Sequence, residues 1–162
     1  MTVAATPLLQ AEALHYRIRG LDVVRGFGLE LRAGHVLGLI GPNGAGKTTA
    51  IDLLSGFSRP ESGRILLRGR DATGWPPDRR ARAGLARTFQ AAPAISGLAV
   101  REHLLLAATA MRRPTPERLS PAALLDRFGL APLADARADD LGTSERRLLD
   151  LARALATRPD AI

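Results

Sequence analysis

Apolar and polar residues alternate at the start of this chain and give way to helical spacings further on. Residues 8–14 set Leu9 and Ala11 against Gln10 and Glu12, the period of a half-buried strand. Residues 23–31 predict a second strand, with Arg32-Ala33-Gly34 as the turn that follows. The run His35-Val36-Leu37-Gly38-Leu39-Ile40 is short and apolar, as a buried parallel strand would be. Beyond it Ala50, Ile51, Leu53 and Leu54 recur at helical spacing until Ser55-Gly56. Residues 64–68 predict a strand closed by Gly69, residues 71–77 read as irregular, and Pro77 opens a short basic helix to Arg82. One more strand is expected over residues 85–90.

From residue 99 the pattern is helical. Val100, His103, Leu104, Ala107 and Met111 form one face of a helix over residues 99–111, which Pro114 and Pro116 end. Ser120-Pro121 opens another, with Ala123, Leu124, Leu125 and Phe128 on its apolar side and Gly129 closing it. A last helix is expected over residues 144–156, capped by Ser144, with Leu148, Leu151, Ala152 and Leu155 inward. The chain therefore reads as one α/β domain: residues 1–98 carry strands and an α/β core, and residues 99–157 a helical part.

Composition narrows the classes. A chain of 162 residues, 46% hydrophobic and 24% charged, suits one globular domain. The absence of cysteine excludes disulfides and thiolate chemistry. Residues 1–10 lack the pattern of a signal peptide, and no apolar run approaches the roughly 20 residues that span a bilayer, so a cytoplasmic location is expected. The net charge of +7 is spread over separate sites such as Arg79-Arg80, Arg112-Arg113 and Arg146-Arg147, and aromatics make up only 4%. No nucleic-acid partner is expected; the arginines belong on solvated faces, near an anionic ligand or beside membrane lipid. His15, His35 and His103 lie apart with no metal-ligand spacing and are expected to have no site role, and Trp75 reads as a local packing anchor.

The chemistry concentrates at Gly41-Pro42-Asn43-Gly44-Ala45-Gly46-Lys47-Thr48-Thr49, which fits the phosphate-binding pattern G-x-x-x-x-G-K-[ST]. Glycines let successive backbone N–H groups turn inward, and the helix N-terminus behind them favours a chain of phosphates. Lys47 is expected to reach the β- and γ-phosphates, and the Thr48 hydroxyl to hold Mg²⁺. Among 23 Lys and Arg residues Lys47 is the only lysine, as expected where a compact ammonium must enter a backbone cradle that a guanidinium would not fit.

Several stretches together resemble one family. Residues 39–49 look like the phosphate loop of ATP-binding-cassette (ABC) transporter ATPases. Gly84-Leu85-Ala86-Arg87-Thr88-Phe89-Gln90 is similar to the stretch that ends in the cassette's mobile glutamine. With Leu98-Ala99-Val100-Arg101-Glu102-His103 it resembles the branched-chain amino acid uptake subgroup, and Ala152-Arg153-Ala154-Leu155-Ala156 matches the helix after the family's signature motif. The resemblance implies a P-loop NTPase fold of the ABC-ATPase type, with an N-terminal antiparallel β subdomain, a RecA-like core and a helical subdomain. It implies ATP and Mg²⁺ as cofactors, Gln90 as a contact to Mg²⁺ or the attacking water, a second ATPase subunit, and a membrane permease that holds the chain at the inner face of the membrane.

Three departures qualify that expectation. The family's adenine-stacking aromatic lies about 23 residues before Gly41, at aliphatic Ile18; Tyr16, two positions earlier, is the candidate instead. The signature serine aligns with Gly142 in Leu141-Gly142-Thr143-Ser144-Glu145. The chain stops at Ile162, where the family continues into a strand ending in Asp-Glu (the Walker B aspartate and catalytic glutamate) and later a switch histidine. The core is therefore expected to be incomplete, with ATP binding retained and hydrolysis negligible. The expected function is the ATP-binding subunit of an importer for branched-chain amino acids or related solutes. The alternative is a non-catalytic nucleotide-binding or regulatory module of the same fold; a small-molecule kinase is the weakest reading.

Overall fold

Strands β1 (Leu9–Ile18) and β2 (Leu21–Leu31) pair as an antiparallel hairpin across the two-residue turn Arg19-Gly20. The computed structural model describes residues 6–89, 95–111 and 116–162. Strands β3 (Ser62–Leu67) and β4 (Arg70–Asp71) complete a four-stranded antiparallel sheet of order β2-β1-β3-β4. Contacts divide the chain into two compact units, Met1–Leu85 with Ala161, and Ala86–Asp160 with Ile162.

In the first unit the alternation expected at the N-terminus holds. Leu9, Ala11 and Leu14 of β1, Val24 of β2, and Ile65 and Leu67 of β3 turn one face of the sheet inward. Helix α1 (Lys47–Ser55) covers that face with Leu53 and Leu54. Burial of each of these leucine, isoleucine and valine side chains stabilises the unit by about 1.5–3 kcal/mol. Trp75 packs at the edge of this core as an anchor, with the Arg70 and Arg79 guanidinium groups stacked on its ring at 5.3 and 4.2 Å.

Two expected core strands do not form. Residues 35–40 have no regular secondary structure, and Val36 and Ile40 are 100% and 94% exposed. A parallel strand needs backbone partners along its edges. Among the described residues, this run shows one backbone bond outside regular elements, His35 N–H to the Arg32 carbonyl at 3.2 Å. Of the strand expected over residues 85–90, Leu85 forms a single parallel bridge with Ala161, residues 86–89 are irregular, and Gln90 lies outside the described residues.

Helix α2 (Pro77–Arg82) forms where Pro77 predicts it, but its arginines are not all solvated. Arg80 is buried, 1% exposed. Its Nη1 donates to the carbonyls of Leu53 and Leu54 (2.6 Å each), its Nε to Trp75 O (3.1 Å) and its Nη2 to Thr73 O (3.1 Å). Burial lowers its pKa to about 10, which leaves it charged at neutral pH. The guanidinium thus completes the C-terminal end of α1, where carbonyls lack intrahelical donors and the helix dipole is negative.

The second unit is helical: α3 (Val100–Ala110), α4 (Pro121–Arg127) and α5 (Thr143–Ala156). Val100, Leu104, Leu124, Leu125, Leu130, Leu141, Leu149 and Ala152 form its core. Ser120 caps α4 as expected, accepting from Ala123 N–H at 3.2 Å. The start of α5 corrects the sequence reading: Gly142, not Ser144, is the N-cap, and Ser144 lies within the helix. Its buried face is also turned, with Leu149 and Ala152 inward while Leu148 and Leu151 are 38% and 36% exposed. An Arg-rich helix with leucines on two sides offers two competing stripes, and the packing of α3 and α4 selects one.

His103 is buried in this unit, and among the described residues neither ring nitrogen has a partner in hydrogen-bonding geometry. Burial lowers its pKa first and the Arg153 charge second; Asp139, the Ile95 backbone and Glu102 oppose that shift without cancelling it.

Two outcomes follow. Arg80→Ala removes one donor from each of four carbonyls, of which Leu53 O keeps the Gly56 N–H, and should lower the unfolding free energy by about 3–5 kcal/mol, with Arg80→Lys intermediate, in urea titrations. His103 has a folded-state pKa below its unfolded value, so the unfolded chain takes up more protons as pH falls through about 6.5. Stability should decline on that acidic side, and His103→Leu should remove the decline between pH 7 and 5. An unchanged slope would show that His103 does not carry it.

Candidate functional site

Residues 41–46 form the loop that leads into α1, whose first residue is Lys47. The Lys47 ammonium folds back over the loop, donating to the carbonyls of Gly41 at 2.7 Å and Pro42 at 2.5 Å. An ammonium has three protons, so one donor remains for an incoming acceptor. Within the loop, Ala45 N–H donates to Pro42 O at 3.3 Å, so that amide is used in a turn. No side chain caps α1, and its first turn contains no acidic residue. The leading amides of a helix have no intrahelical acceptor and carry the positive end of its dipole. Thr48 is exposed in this first turn and Thr49 is half-buried.

Gly46 fixes the loop against the sheet. Its φ is 79°, and a Cβ there would lie 2.6 Å from the Val23 carbonyl oxygen of β2. Beside this contact is a cavity of about 200 Å³. Its walls are Val23, Val24, Arg25 and Phe27 from β2, Leu39 and Ile40 from the run before the loop, and Ala45, Gly46, Lys47 and Ala50. Arg25 and Lys47 are the charged members of this lining, and it contains no carboxylate. Such a hollow, lined by two basic side chains and otherwise by apolar residues and glycine, suits a ligand with an anionic part and an apolar or aromatic body.

The structure places the other candidates as follows. Tyr16 packs on the core of the first unit opposite Val24, outside the cavity lining, and Ile18 is 45% exposed at the hairpin end. The residues before Gln90 are held within the second unit: Arg87 stacks over the Phe89 ring at 4.8 Å, and Phe89 N–H donates to Asp150 Oδ2 at 2.8 Å. At the N-terminus of α5, a Cβ on Gly142 would meet Glu145 Oε2 at 2.5 Å, so the carboxylate lies directly over that position. Val23, Arg25 and Phe27 were not singled out by the sequence pattern. Their signal is structural, an irregular register in β2 that places Val23 and Arg25 beside the loop.

A glycine loop closed over its lysine at the start of a helix, set against a sheet, defines a phosphate-loop nucleotide-binding protein. Residues 24–162 match the family described as ABC transporter. The chain is 38% identical over 172 residues to the high-affinity branched-chain amino acid transport ATP-binding protein LivG of Salmonella typhimurium, covering 96% of this chain and 68% of LivG. It is 35% identical to the corresponding protein BraF of Pseudomonas aeruginosa, covering 94% of this chain and 66% of that protein. A solved nucleotide-free ATP-binding cassette from an ABC transporter superposes with a TM-score of 0.80 at 26% identity, over 94% of this chain and 66% of the cassette. The chain belongs to the ABC transporter family and has the ABC-ATPase fold. It spans about two thirds of the length of these relatives. Among the described residues no helix is long and apolar enough to cross a membrane.

The glycine positions separate two physical effects. Gly44, with φ 81° and open space around its α-carbon, should lose about 1–2 kcal/mol of stability as Gly44→Ala. Gly46→Ala adds the clash with the Val23 carbonyl and should lose at least about 1 kcal/mol more. Urea midpoints of the two variants measure the difference, and equal losses would mean that the loop does not rest on β2.

Proposed function

We propose that this chain binds Mg-ATP as the nucleotide-binding part of an ABC importer for branched-chain amino acids or related solutes. The observation that carries the reading is the loop closed by Lys47 over Gly41 and Pro42, beside a cavity whose charged members are both basic. Residues 41–49 would hold the phosphates, with the remaining Lys47 donor toward the β- and γ-phosphate oxygens. Among the described residues no three His, Cys, Asp or Glu side chains gather to hold a metal. Mg²⁺ would therefore depend on the phosphates, the Thr48 hydroxyl and Gln90. The names of LivG and BraF support the solute class, and so does the Arg87-Thr88-Phe89-Gln90 stretch.

The proposed partners are a second ATPase subunit and membrane permease subunits, which would keep the chain on the cytoplasmic face of the membrane. ATP then joins two basic half-sites, and its loss releases them. A second reading, a non-catalytic nucleotide-binding module of the same fold, draws support from α5. Glu145 there puts a carboxylate over Gly142, at the helix end where a partner's phosphate would otherwise be welcome.

Calorimetric titration of the chain with Mg-ATP tests the common core of both readings. Lys47→Ala should weaken binding about tenfold or more while circular dichroism shows the fold retained. Equal affinity of the parent and variant would overturn the assignment of the loop.

A further inference from the structure

The β1–β2 pairing is irregular in a way that bears on the cavity. Leu14 pairs with Phe27 and Tyr16 with Val24, so β2 advances three residues while β1 advances two. The additional residue lies at Arg25-Gly26, where Gly26 has φ 62°. This is the signature of a β-bulge with a left-handed glycine. In an unbroken strand Val24 and Phe27 would point to opposite faces. The bulge lets both pack on the core, where Val24 is buried and Phe27 partly so, and releases Arg25 from that alternation. Arg25 then lines the cavity that Lys47 lines, with its side chain 73% exposed.

The present partner of Arg25 is weakly held. Its Nε lies 3.5 Å from Asp22 Oδ2, and both side chains are largely exposed. Exposed pairs of this kind contribute little. Asp22 also faces Arg17 Nε at 3.6 Å, so the carboxylate keeps a cationic neighbour if Arg25 leaves.

We propose that Arg25 is a specificity-determining residue of the phosphate-loop cavity, a second cation that leaves Asp22 to engage the phosphate chain of the bound nucleotide. The inference rests on the nucleotide-binding reading above. A guanidinium offers a flat fork of donors that spans two phosphate oxygens, where Lys47 supplies a single point charge. The paired cations favour longer phosphate chains, so discrimination between ATP and AMP depends on Arg25.

The test uses the full chain and calorimetric titration with Mg-ATP, ADP and AMP at low and high salt. Arg25→Ala should raise the dissociation constant for ATP about fivefold or more and that for AMP less than twofold, with the loss shrinking at high salt. Arg25→Lys should recover part of the loss, and Asp22→Asn should tighten ATP binding about twofold only when Arg25 is present. If Lys47→Ala weakens ATP binding but Arg25→Ala leaves it within twofold, the role of Arg25 is overturned and the nucleotide reading stands. If the parent chain binds none of the three, both are overturned. Equal losses for ATP and AMP would likewise reject a phosphate-chain contact.

Discussion

A buried guanidinium that has no carboxylate partner among the described residues holds the helix on which the site is built. Arg80 spends Nε, Nη1 and Nη2 on four backbone carbonyls, two of them, Leu53 and Leu54, in the last turn of α1. Desolvating such a charge costs several kcal/mol, and the offset here comes from oriented carbonyl dipoles and the negative end of the helix. Two other carbonyls, of Thr73 and Trp75, tie the segment after β4 to the same group. The helix is therefore fixed at its C-terminal end by a side chain from α2. Its N-terminal end is fixed by the packing of Gly46 against the Val23 carbonyl. With both ends held, the leading amides of the first turn keep one direction relative to β2 and the cavity.

Much of this was legible in the residue pattern, for reasons particular to each element. The strands over residues 8–14 and 23–31 announce themselves because one face of an antiparallel sheet is buried, which makes alternation visible. Pro77 marks the start of α2 and Ser120-Pro121 that of α4, because a proline at the first helical position costs no hydrogen bond. The phosphate loop is legible because its backbone demands glycine at 44 and 46, where φ is 81° and 79°. Arg80 was not legible. Arg79, Arg80 and Arg82 look alike in sequence, and only the arrival of the α1 carbonyls distinguishes the buried one. The inward face of α5 was missed because Leu148, Leu149 and Leu151 offer leucines on adjoining sides, and hydrophobicity alone does not rank them.

The bulge in β2 shows a different limit. Sequence parity assigns Val23, Arg25 and Phe27 to one face and Val24 to the other, and a single inserted residue cancels that rule. Gly26 is the one sign of it in the chain, and glycines in strands have several causes. The cavity wall is thus a product of register, which belongs to the pair of strands and not to either one.

The run before the loop completes the physical picture. Val36, Leu37, Leu39 and Ile40 are 100%, 54%, 39% and 94% exposed, so the run realises little of the roughly 1.5–3 kcal/mol that each such side chain gains on full burial. Among the described residues, this irregular run offers the loop few constraints of its own. Leu39 and Ile40 still contribute a wall to the cavity, yet the constraints with measurable geometry lie on the other side of the loop. They are the Lys47 bonds to Gly41 and Pro42, the approach of Gly46 to β2, and the Arg80 clamp at the far end of α1. Among the described residues the loop is held from its helical side, and the lysine that would meet phosphate also closes the backbone around itself.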